Sequence, residues 1–170
     1  MSRFRLFAFV SAALFAAAPA IAQISPVCKP VMDAGIKVLT TPHHAVSTES
    51  DGKTAGETIT TGDAIYVKTR GAWKKSAWTP QDSVAQAQDN IKSVKVYTCS
   101  RLPDDSVDGV PAFVYKAHSE TPDVGTSDAQ VWLSKATGLP LRTEDDFNTG
   151  TNRHLSSKYD YANIHAPVVK

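Results

Sequence analysis

Five histidines, two acidic clusters and two cysteines are the residues of this chain whose types could do chemistry. His43 and His44 are adjacent, and His118, His154 and His165 are scattered. A zinc site needs ligands that converge, and neighbours on a strand point to opposite faces. No His-x-His or His-x-x-x-His pair occurs, so no metal is expected. Among the acids, "PDDSVD" holds Asp104, Asp105 and Asp108, and "RTEDDF" holds Glu144, Asp145 and Asp146. Paired carboxylates can hydrolyse glycosides. Both clusters are predicted at strand ends beside turns, where acids are solvated. Neither has the alternating oxygen ligands of a calcium loop. There is no Gly-x-Ser-x-Gly elbow, no Ser-x-x-Lys with its partner motifs and no Gly-rich phosphate loop. The reading is of a protein that is not an enzyme and needs no cofactor.

The cysteines take their meaning from the N-terminus. Arg3 and Arg5 form a short basic region, Leu6 to Ala18 is apolar, and Ala20-Ile21-Ala22 is a small-x-small cleavage site. Residues 1–22 are read as a cleaved signal peptide, cut after Ala22, with Gln23 as the mature start. The apolar run falls short of the roughly 20 residues of a membrane span. The expected location is the periplasm, or outside the cell, with no transmembrane anchor in the mature chain. Cys28 does not directly follow the cut, so it is badly placed for a lipid anchor. In an oxidising compartment, Cys28 and Cys99 read as one disulfide, tying an N-terminal helix to a mid-chain strand. No Cys-x-x-Cys suggests redox catalysis.

The stretch "GDAIYVKTRGAWKKSAW", residues 62–78, mixes aromatic and basic residues as a nucleic-acid grip would. Overall charge argues against that. The chain has 18 Lys+Arg and 17 Asp+Glu; without Arg3 and Arg5 the balance is 16 against 17. Binding to a duplex draws on a clear positive excess. The stretch reads instead as a hairpin, with Ile65, Val67 and Thr69 on one face and Tyr66, Lys68 and Arg70 on the other.

The elements that must position these residues follow from periodicity. Val31, Ala34, Gly35, Val38 and Leu39 mark one face of a helix over residues 28–40, stopped by Thr41-Pro42. "TPQDSVAQAQDNIK" is a second helix, with Thr79 as N-cap, Pro80 at the first position and Asp82 in the first turn. Its few apolar residues, Val84, Ala87 and Ile91, place it on a surface or across an opening. The rest reads as strands joined by Gly62-Asp63, Arg70-Gly71, Asp108-Gly109, Thr137-Gly138 and Thr149-Gly150. Strand follows strand through short links, so the sheet is expected to be antiparallel. Residues 23–170, about 150 in all, suit a single domain. The fold class is α+β, with helices packed on one face of a curved antiparallel sheet. Such a sheet leaves a concave face suited to an apolar ligand. The aromatic residues of the strands, Tyr66, Trp73, Trp78, Tyr97, Phe113, Tyr115 and Trp132, either fill the core or line that cavity.

The order "ETITTGDAIYVKTRGAWKKS", "DGVPAFVYKAHSE", "VWLSKATGLPLRTE" and "SSKYDYANIHAP" resembles the periplasmic lipoprotein-carrier superfamily, the LolA/LolB-like and lipoprotein-sorting proteins. The likeness covers nearly all of the mature chain. It implies an open half β-barrel with two helices over its concave face. It also implies a non-enzymatic carrier of a lipid or acyl chain, or an envelope interaction or sensor module using the same fold without lipid. The Cys28–Cys99 pair has no counterpart in that pattern, and the chain is short for a carrier of triacylated lipoproteins.

Overall fold

The computed structural model describes residues 23–122, 125–148, 150 and 152–169. The signal segment, residues 1–22, and the turn residue Thr149 lie outside them.

The strands are β1 (Gln23–Ile24), β2 (His43–Glu49), β3 (Thr54–Thr60), β4 (Ile65–Thr69), β5 (Ala72–Lys75), β6 (Val96–Val107), β7 (Val110–Thr121), β8 (Gly125–Ser134), β9 (Pro140–Asn148) and β10 (Asn152–Asp160). The helices are α1 (Lys29–Thr40) and α2 (Pro80–Ser93). One sheet takes the order β1-β6-β7-β8-β9-β10-β2-β3-β4-β5. Its ends do not meet, so the curved sheet is an open half-barrel. Breaks of register at Ser47/Thr48, Leu102/Asp105 and Trp132/Leu133 add the local bends that bulges supply.

Nine strands are antiparallel, as expected. The two-residue β1 is a departure: it runs parallel to β6, with Gln23 opposite Val96 and Ile24 opposite Tyr97. The Cys28–Cys99 disulfide, with Cα atoms 5.1 Å apart, holds the segment there. Ser25 N–H also donates to the Tyr97 carbonyl at 3.0 Å.

The hairpin turns are those the dipeptides specify. Arg70 and Gly71 have φ of 51° and 80°, and Asp108 and Gly109 have 50° and 81°. Two successive positive φ values make the hairpin turn that matches strand twist.

Helix α1 buries Val31, Ala34 and Val38, one stripe at helical spacing. The stripe packs on Tyr115, Val131 and Leu133 of the sheet. Pro42 cannot continue the helix, and Thr41 is already extended at ψ 128°. Helix α2 starts with a reciprocal capping box. Thr79 Oγ1 accepts from Asp82 N–H at 3.2 Å, and Asp82 Oδ2 accepts from Thr79 N–H at 2.8 Å. Pro80 is its only buried residue, and its principal packing partner is α1. The helices therefore stack outward from the sheet, α1 inside and α2 outside.

Candidate functional site

Strand register assigns each inward side chain. On the face beneath α1, Tyr97 lies opposite Ser119, Ser119 opposite Ser127, and Ala117 opposite Ala129. Ala129 in turn lies opposite Asp145, and Val131 opposite Thr143. The opposite face carries Val114, Trp132 and Arg142 in one cross-strand row.

Two cavities flank α1. The first, about 230 Å³, lies between helix and sheet. Its roof is Val31, Ala34 and Val38, and its floor includes Ser127, Thr143 and Asp145. The second, about 310 Å³, lies between α1 and α2, and is lined by apolar residues including Met32, Ile36, Leu39 and Ile91. Val31, Gly35 and Tyr97 line both. Gly35 is itself exposed, and a Cβ there would meet nothing within 4 Å.

The first cavity is floored by hydroxyls and one acid. Ser119 and Ser127 Oγ atoms are 3.3 Å apart. Thr143 Oγ1 donates to Asp145 Oδ2 at 2.7 Å. Burial raises the Asp145 pKa above the ordinary carboxylate value, against the stabilising Thr143 hydrogen bond. Tyr97 and Tyr159 are also raised, first by burial and then by the nearby Asp145 charge.

Asp145 corrects the sequence reading of "RTEDDF" as a solvated strand end. It stands inside β9, half-buried, with its neighbours Glu144 and Asp146 on the other face. There Glu144 binds Arg142, and His154 reaches Glu144 at 2.9 Å and Asp146 at 2.8 Å. Hydrogen bonding to Asp146 raises the His154 pKa most. Likewise Asp104 and Asp105 lie inside β6 rather than beyond its end. Asp104 pairs with Lys135 and Arg101, and Asp105 accepts from Trp132 Nε1–H at 3.0 Å. The available signal was alternation: Thr143, Asp145 and Phe147 are one period-two face.

The seven aromatic residues do not converge. Tyr97 lines both cavities. Phe113 and Tyr115 share its face, but Tyr115 is core at 7 % exposure, and both rings pack on the Arg101 guanidinium, at 4.3 and 5.2 Å. Trp132 is buried on the opposite face with Ala112 and Val114, under Arg142 at 4.9 Å. Trp73 is on that outer face too, beside His44 at 6.3 Å and Lys68 at 5.5 Å. Tyr66 follows Lys68 there by alternation. Trp78 is 52 % exposed, ahead of α2. His43 and His44 do face opposite ways. His43 stacks near Tyr159 at 5.8 Å, while His44 contacts Glu57 at 3.1 Å.

Fold and site together define an open half-barrel with a helix-roofed cavity. No protein-family profile and no curated protein sequence matches the chain. Solved structures similar to it include the Mycobacterium tuberculosis lipoprotein LppX, with a TM-score of 0.46 and 9 % identity, covering 82 % of this chain and 100 % of LppX. MucB has a TM-score of 0.37 and 19 % identity, covering 79 % of this chain and 60 % of MucB. A putative outer membrane lipoprotein-sorting protein domain from Vibrio parahaemolyticus has 0.30 and 11 %, covering 79 % and 92 %. Each of these likenesses is one of fold alone. Among the described residues no helix is long and apolar enough to cross a membrane.

Proposed function

We propose that this chain is a soluble periplasmic carrier or binding protein that holds a lipid or acyl chain in the cavities beside α1, without catalysis. The observation that carries the reading is the apolar cavity of about 310 Å³ between α1 and α2. It shares Val31, Gly35 and Tyr97 with a second cavity on the concave face. Ligand sites span roughly 300–1,000 Å³, so the pair suits one chain rather than three. Tyr97, on the wall of both, is the ligand-contacting aromatic residue. Protein expressed with its signal and gently purified should carry lipid in native mass spectra, and stripped protein should take up an uncharged fluorescent alkyl-chain probe. Clean spectra together with no uptake refute the reading.

A second reading, an envelope interaction or sensor module, draws on exposed apolar residues. Trp78 is 52 % exposed, and Val169, which bridges to Trp73 beside edge strand β5, is 48 % exposed. A stoichiometric protein partner in periplasmic pull-down, with no bound lipid, favours it.

A further inference from the structure

Resting on the carrier reading, we propose that the ligand is a single-chain amphiphile with a protonated amine head, its tail between α1 and α2 and its ammonium on Asp145. The two cavities differ in chemistry, and that difference specifies two ends of one molecule. Between the helices, Met32, Ile36, Leu39 and Ile91 offer only hydrocarbon. Beneath α1, Ser119, Ser127, Thr143 and Asp145 offer oxygen. Val31, Gly35 and Tyr97 belong to both walls, so one molecule can occupy both spaces.

Asp145 sets the sign of the head. Among the described residues it has no ion-pair partner, and its one hydrogen bond is from Thr143 to Oδ2. Among the described residues every side-chain oxygen that is sealed from solvent has a hydrogen-bond partner, so the unpartnered Oδ1 is reached by solvent. The nearby charges compensate it only in part, through His154. Glu144 and Asp146 add negative charge, and His154 is engaged with both on the other face of the sheet. A carboxylate in a poorly hydrated site is costly until a cation or donor meets it. A fatty acid would bring a second carboxylate to the same place, and like charges there repel. An alkylammonium brings three donors to an acid and a row of hydroxyl acceptors.

The test uses the mature protein, stripped of lipid, and calorimetric titration at neutral pH with dodecylamine, dodecanol and dodecanoate. The amine should bind roughly ten-fold tighter than the alcohol or more, as a charge-assisted hydrogen bond would give. Dodecanoate should bind weakest. Asp145→Asn should abolish the amine's advantage over the alcohol, and a cooperative thermal unfolding transition shows that the variant is folded. Asp145→Ser, which matches its hydroxyl neighbours, should do the same. Equal affinity for amine and alcohol in the unaltered protein overturns the head-group assignment while leaving the carrier reading intact. So does an amine preference that survives both substitutions. Failure of all three ligands to bind overturns the carrier reading as well.

Discussion

Gly35 separates the structural role of α1 from its role as a cavity wall. Glycine inside a helix costs about 1 kcal/mol relative to alanine, because it surrenders more backbone freedom on folding. Gly35 lies mid-helix with ordinary helical φ, and its missing Cβ would meet nothing within 4 Å. Gly35→Ala should therefore stabilise the protein by close to that full amount. For a domain of this size the melting temperature should rise by roughly 2–4 °C. Gly35→Leu has nearly the same helix propensity as Gly35→Ala, so it should retain the gain. Its side chain, however, would enter the space shared by the two cavities. Uptake of an uncharged alkyl-chain probe should fall by ten-fold or more in Gly35→Leu and stay near the unaltered value in Gly35→Ala. Thermal unfolding followed by circular dichroism, paired with probe titration on the same samples, reads both effects. If Gly35→Ala destabilises the protein, something occupies the site that the open space does not allow for. If Gly35→Leu binds probe normally, the space that Gly35 lines is not part of the ligand site.

Removing the disulfide with Cys28→Ala and Cys99→Ala releases a cross-link between residues 71 apart. The chain-entropy relation puts the loss at about 4 kcal/mol, measurable by urea unfolding of oxidised protein and double variant. Trp132→Ala should cost about 3–5 kcal/mol, since Trp132 is 7 % exposed and its indole N–H is bonded to Asp105. Because Trp132 lies on the face away from α1, the protein that stays folded should bind probe as before, and a binding loss greater than the folded-fraction loss refutes that placement. Asp145 carries a pH signature. Its folded pKa is raised above the ordinary carboxylate value by burial, so the native state holds the proton more tightly than the unfolded one. Stability from this group is present at low pH and is lost as pH rises through the folded pKa. Asp145→Asn should flatten that fall, and a variant curve parallel to the unaltered one through the acid range contradicts it.

Much of the fold was legible because local rules and tertiary structure agree. Val31, Ala34 and Val38 are at helical spacing and are the buried stripe of α1. Thr79-Pro80 and Asp82 announce the start of α2, and Arg70-Gly71 and Asp108-Gly109 announce hairpins that form there. The site was less legible, because it depends on where strands end and which face curves inward. "RTEDDF" looks like a polar strand end because its acids crowd toward the turn at Thr149-Gly150. Once β9 runs to Asn148, alternation turns Asp145 inward and Glu144 outward. Trp132 announces burial by its type, but only register against Val114 and Arg142 assigns its face. The parallel β1–β6 pair was invisible for another reason. Two residues make no pattern, and the pairing is imposed by a bond between positions 71 apart.

The division of the concave face explains how one short chain can keep such a hollow in water. A wholly apolar concavity left open would be an aggregation-prone patch. Here α1 and α2 cover the hydrocarbon, while the strands beyond α1 present Ser47, Thr58, Thr60 and Ser157 on the inward register. Ser47 and Ser157 bond to each other at 2.7 Å, so the hydroxyls are satisfied whether the hollow holds water or a ligand. That surface needs no ligand to stay soluble, yet it penalises a ligand that is apolar at both ends. A multi-chain lipid would press hydrocarbon against hydroxyls and a carboxylate, losing their hydration without replacing it. A molecule with one apolar end and one donor-bearing end leaves each surface matched. The same logic predicts where selectivity resides. Substitutions among Met32, Ile36 and Ile91 should change the chain length accepted, and substitutions at Asp145 should change the head group, each independently of the other.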